Sequence, residues 1–204
     1  MQHTVSDSQD TLNSNSNISK DEAINAIRVL LGWIGEDPSR QDLIETPNRV
    51  LNSFNEFFSG YKIQPATLLQ KTFQNTYRYT EPVILKDIAI NSYCEHHMVP
   101  FTGVAHIAYI PNERIVGISK LARVAEAYAR RLQVQERLTM EIARTVEEAL
   151  QPHGVAVIIE ALHQCIATRG AHQPNVKMVT TAMLGRFDSD QKLRAEFFNM
   201  CIKK

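Results

Sequence analysis

The chain has 204 residues, 44% of them hydrophobic, and balances 22 Lys and Arg against 22 Asp and Glu. That is enough for one domain with a sizeable core, alone or with a helical extension, and it excludes a nucleic-acid or membrane surface built on bulk charge. Three cysteines without a framework spacing, no secretory pattern at the start and no apolar run of bilayer length fit reduced thiols in a cytoplasm.

Residues 1–18 are polar and rich in Ser, Asn, Gln and Asp, the composition of a mobile tail. Ser19-Lys20-Asp21-Glu22 is a capping-box signal, and Ile24, Ile27, Leu30, Leu31 and Ile34 follow at helical spacing until Gly35 and Pro38. Thr46-Pro47 reads as a cap with proline at the first helical position. Val50, Leu51, Phe54, Phe57 and Phe58 then make an apolar stripe stopped by Gly60. Residues 19–80 are therefore expected to form an N-terminal helical extension.

From Pro82 the texture turns to β-type runs at 83–90 and 102–110. A turn at 111–114 leads to a short run at 115–118. Ser119 is placed to cap a long helix carrying Leu121, Val124, Ala125, Tyr128 and Leu132 on one face. The polar break 133–135 separates it from a second helix with Leu138, Ile142, Val146 and Ala149, closed by Pro152 and Gly154. Further β-type runs cover 155–166 and 177–184. Strands, two helices, then strands predict an α+β domain over 81–204, an antiparallel sheet with a helix pair on one face.

The residues that carry chemistry are Cys94-Glu95-His96-His97 and, far along the chain, His163-Gln164-Cys165. Two thiolates and an imidazole suit zinc, and three ligands leave a tetrahedral position open for water. Cys94 and His97 fit one tight turn, and His163 and Cys165 on a strand would share a face. His96 and His163 are then candidates to move protons. Two alternatives stand beside this reading: buried cysteines serving as small apolar residues, and Cys94 as a nucleophile with a histidine base. Lys120 and Arg123 near a helix start, with Arg169 beyond Cys165, suit phosphate, although each alone would read as a solvated charge. Glu136 alone reads as a first-turn helix charge.

Together, Cys-Glu-His-His-Met-Val-Pro-Phe at 94–101, Ser-Lys-Leu-Ala-Arg at 119–123, Arg-Arg-Leu-Gln-Val-Gln-Glu-Arg-Leu-Thr at 130–139, His-Gln-Cys at 163–165 with Arg169-Gly170, and Thr-Pro-Asn-Arg-Val at 46–50 resemble type I GTP cyclohydrolase over roughly residues 20–187. The resemblance implies the tunnelling fold and a toroidal homodecamer with active sites at subunit junctions. It implies conversion of GTP to formate and 7,8-dihydroneopterin triphosphate, the entry to folate and other pterins. Cys94, His97 and Cys165 would hold Zn2+, whose bound water attacks C8 of guanine. His163 would protonate the ring nitrogen, with His96 a second proton carrier. Glu136, helped by Gln135, would read the guanine edge. Ser119, Lys120, Arg123 and Arg169 would cradle the triphosphate, and Arg49 would join from an adjacent subunit.

Overall fold

Four long antiparallel strands form the frame of the fold. The computed structural model describes residues 17–201, so most of the expected tail, residues 1–16, lies outside the described residues. Helix α1 (Lys20–Trp33) starts as its sequence predicts. Ser19 Oγ accepts the Glu22 N–H at 3.2 Å, and the Ser19 N–H donates to Glu22 Oε2 at 2.7 Å. Helix α2 (Thr46–Phe57) differs at its start. The N-cap is Glu45, without a side-chain hydrogen bond, and Thr46 is already helical. Two 3₁₀ turns (Ser59–Lys62 and Pro65–Leu69) and strand β1 (Thr72–Gln74) complete the extension.

Then come β2 (Val83–Cys94), β3 (Pro100–Ile110), β4 (Arg114–Val116), α3 (Ile118–Ala129), β5 (Leu132–Gln133), α4 (Gln135–Leu150) and β6 (Gly154–His163). The short α5 (Gln164–Ala167), β7 (Lys177–Gly185), α6 (Arg186–Ser189) and α7 (Gln191–Cys201) follow. The main sheet runs β5-β2-β3-β6-β7, and β1 pairs separately with β4. All neighbours in the main sheet are antiparallel except β5, which pairs parallel to β2 through Tyr93–Leu132 and Cys94–Gln133. The polar break at 133–135 therefore holds an edge strand, not only a link between helices.

Alternation along β3 and β6 divides the interior in two. Ala105, Ile107, Tyr109, Val155, Val157 and Ile159 pack with Leu121, Val124, Leu138, Ile142 and Val146 of α3 and α4. Ala108, Ile110, Ala156 and Ile158 pack with Phe187, Phe197 and Cys201. The helix pair covers one face, as its apolar stripes predict. The other face is closed by α6 and α7, which the β-type reading of the sequence did not reach.

Strand β2 carries a bulge, with its register to β3 shifting between Leu85 and Ile88 and Asp87 at φ 57°. The N–H of Asp87 donates to Nδ1 of the buried His106 at 3.1 Å. The extension is tied to the sheet's β5 corner. Arg131 donates from Nε to Gly60 O at 3.1 Å and from Nη2 to Ile63 O at 2.8 Å, while Tyr61 Oη accepts the Leu132 N–H at 3.1 Å. At Gly60 a Cβ would collide with the Ala127 carbonyl oxygen, so this close approach requires glycine.

Candidate active site

The β2–β3 connection folds the first two candidate ligands together. The Cys94 N–H donates to Val99 O at 2.9 Å and the Met98 N–H to Cys94 O at 2.8 Å, with Met98 at φ 54°. This tight turn leaves Cys94 Sγ and His97 Nδ1 3.9 Å apart. The third ligand arrives differently from expectation. Strand β6 ends at His163, and Cys165 sits in the four-residue α5, so the two do not share a strand face. The departure from β6 still carries the thiol to the same place: one donor atom each from Cys94, His97 and Cys165 lies within 4.8 Å of the others.

Tetrahedral zinc at about 2.3 Å from sulfur and about 2.0 Å from nitrogen would need its ligand atoms roughly 3.5–3.8 Å apart. The observed trio fits such an ion after a small contraction. Burial pushes the Cys165 thiol up, and the neighbouring Cys94 sulfur adds to the shift. A cation between the two sulfurs would reverse that preference, because it stabilises both thiolates. Arg169 Nη1 donates to His97 Nε2 at 2.8 Å while Nδ1 faces the sulfurs; a neutral ring that accepts at Nε2 carries its proton on Nδ1, so holding a metal through Nδ1 would move that proton to Nε2 and release the arginine. His96 is exposed beside the trio, its ring centroid 6.3 Å from that of His97.

His163 lies next to this group but is held by other contacts. Its ring stacks on Phe101 at 4.5 Å and 6°, and Nε2 lies 2.7 Å from Gln135 Oε1. Burial lowers the His163 pKa, partly countered by the charge of Glu136. Gln135 makes its hydrogen bonds inside the protein. The residue is 1% exposed, and its amide nitrogen donates to Ile159 O at 3.0 Å, Met178 O at 3.0 Å and Thr180 Oγ1 at 3.1 Å. Glu136, in the first turn of α4, is exposed.

Three residues that sequence reasoning passed over hold the ligand turn in place. Arg137 Nη2 donates to Glu95 Oε2 at 2.6 Å, and its Nε donates to Gln133 Oε1 at 3.0 Å. The Glu95 N–H donates to Gln133 O at 3.0 Å. The Glu95 hydrogen bond raises the Arg137 pKa further. Glu95 stands inside the cysteine–histidine run, but its partner is 42 residues away, beyond any local pattern.

The basic residues are split. Arg169 is at the trio, whereas Ser119, Lys120 and Arg123 sit in the first half of α3, whose N-cap is Gly117 and not Ser119. That helix ends three residues before β5, which pairs with β2 at Cys94. Arg123 lines a cleft with Ser59, Ile63 and Leu68 of the extension, and Arg49 is exposed on α2. Among these candidate cations, Arg169 is the one hydrogen-bonded to a member of the trio.

A sheet of this topology, ending in a thiol–imidazole trio able to hold a metal ion, defines an α+β protein with a candidate metal site. Residues 23–202 match the family described as GTP cyclohydrolase I. Proteins named GTP cyclohydrolase 1 are similar throughout. That of Rickettsia bellii is 50% identical over 185 residues, 91% of this chain and 96% of its own length. That of Hyphomonas neptunium is 49% identical over 183 residues, covering 90% and 89%, and that of Maricaulis maris 46% over 186, covering 91% of each. The chain belongs to the GTP cyclohydrolase I family, an enzyme family with the tunnelling fold. No helix among the described residues is long and apolar enough to cross a membrane.

Proposed function

We propose that this protein hydrolytically opens the imidazole ring of GTP, releasing formate and forming 7,8-dihydroneopterin triphosphate, the first step toward folate and other pterins. The observation that carries the reading is the convergence of three donor atoms within 4.8 Å, beside His163, on a chain of this family. Cys94, His97 and Cys165 would hold zinc, which supplies Lewis acidity and a water acidified to a pKa of about 7 when bound.

The chain's own residues take the remaining roles. His163 delivers a proton to the ring nitrogen as the imidazole opens, and His96 is a second proton carrier. Glu136 accepts from guanine N1–H and N2–H, a pattern adenine cannot offer. Arg169 takes phosphate. Ser119, Lys120 and Arg123 take the triphosphate in a homo-oligomer whose sites are completed at subunit junctions, a decamer by family resemblance. Arg49 is contributed from an adjacent subunit. The free substrate is a small nucleotide, with no nucleic acid or membrane involved, and the balanced charge and reduced cysteines fit the cytoplasm.

The test is a GTP assay following formate and pterin fluorescence together, before and after chelation. The reading expects both signals, both lost on stripping and restored by zinc. Turnover that survives complete metal removal, or formate without the pterin fluorophore, would overturn it.

A further inference from the structure

We propose that Gln135 is a positioning residue for His163, holding the ring in the tautomer protonated at Nε2 and leaving Nδ1 as the nitrogen that exchanges protons with substrate. The inference deepens the proposed function, because it rests on His163 being the proton carrier of that reaction.

The hydrogen-bond directions follow from groups that can only accept. Thr139 Oγ1 donates to the Gln135 main-chain carbonyl at 2.7 Å, which uses its one proton. The Thr139–Thr180 contact of 2.6 Å must then run from the Thr180 hydroxyl to Thr139. Thr180 Oγ1, its own proton engaged, accepts from the Gln135 amide nitrogen at 3.1 Å. The same nitrogen faces two further acceptors, the carbonyls of Ile159 and Met178, each at 3.0 Å. Turning the amide over would set its oxygen against both carbonyls in a site that is 1% exposed. Oε1 therefore points at His163, and since a carbonyl oxygen cannot donate, the 2.7 Å contact is Nε2–H donating to Oε1.

The stack on Phe101 fixes the plane of the ring, and the hydrogen bond fixes which edge points inward. A neutral ring then offers its lone pair only at Nδ1, and a protonated ring offers its additional N–H only there. Proton uptake and release thus occur at one atom in one position. Gln135, Thr139 and Thr180 form a closed relay from α4 to β7 whose output is the orientation of a side chain on β6.

The experiment labels the chain with 13C,15N-histidine and reads the Cδ2 and ring-nitrogen shifts, which distinguish the two neutral tautomers, in the purified protein without nucleotide. His163→Ala assigns the signal among the seven histidines. The expected result is a single Nε2–H tautomer for His163; an Nδ1–H ring or an even mixture would overturn the inference. Gln135→Met, which removes the acceptor, should yield mixed tautomers and cut kcat about 100-fold with KM for GTP nearly unchanged. A raised KM at normal kcat would make Gln135 a base contact and defeat the proposal.

Should that variant not fold, Thr180→Val keeps Gln135 and is expected to lose kcat roughly tenfold, with Thr180→Ser restoring it. Equal loss in both Thr180 variants would again count against the relay. The two readings fail separately. Wild-type protein inert toward GTP removes the proposed reaction, whereas an active enzyme with an Nδ1–H ring removes only this inference.

Discussion

The two faces of the main sheet carry the same reactive residue types and make very different use of them. On the α7 face, His106 is 3% exposed, and its Nδ1 is occupied by the Asp87 N–H. Cys201 on that face is buried among apolar groups, and burial pushes its thiol up to about 11. On the α3–α4 face, His163 gives one nitrogen to Gln135 and keeps the other. There Cys165 has Cys94 and His97 within ligand distance. A histidine and a cysteine become a site where strands end and several chain segments converge. In mid-sheet, packing consumes the same groups.

Substitutions on the two faces sharpen this contrast. Cys165→Ser should abolish metal retention and turnover together, while Cys201→Ser should leave metal content, measured by elemental analysis, and turnover intact. Tight metal binding in the Cys165 variant would erase the distinction. The next effect is smaller: His163→Ala is expected to keep its metal but lose about 10²–10⁴-fold in ring opening. His106→Gln, which retains an acceptor for the Asp87 N–H, should lose little.

The smallest effect is on acid stability. Burial lowers the His106 pKa below its usual 6.5, with Lys86 acting in the same direction and Asp87 and Glu160 opposing. Below pH 6.5 the unfolded chain therefore binds a proton that the folded chain resists, and stability falls as pH falls through that window. Urea midpoints between pH 7 and pH 5 should drop less in His106→Gln than in the parent chain; parallel curves would show that His106 is not responsible.

Much of this was legible locally. The capping box at Ser19 and the stripes of α3 and α4 depend on neighbours a turn apart, and the structure has them where the pattern puts them, except that α3 stops at Ala129 and Leu132, expected on its face, belongs to β5. The ligand trio was legible because its residue types are rare and clustered. What sequence missed depends on distant partners. Cys165 leaves the strand because β6 stops at His163, the 133–135 break becomes an edge strand by pairing with β2, and α7 has a weak amphipathic pattern whose target is the far side of the sheet. Gln135 reads as part of the polar break between helices; only tertiary structure brings Thr180 and His163 to its amide.

The irregularity at Asp87 has a consequence beyond its own hydrogen bond. Val83 and Leu85 lean toward the α3–α4 core, and so do Ile88, Ile90 and Cys94, although the first pair is odd-numbered and the second set even. The additional residue switches the parity of β2 midway, and that switch turns the Cys94 sulfur toward its partners instead of toward α7. Deleting Asp87 would leave every donor in the sequence and is expected to part Cys94 from His97 and Cys165, because a side chain's address on a pleated strand is a matter of even and odd.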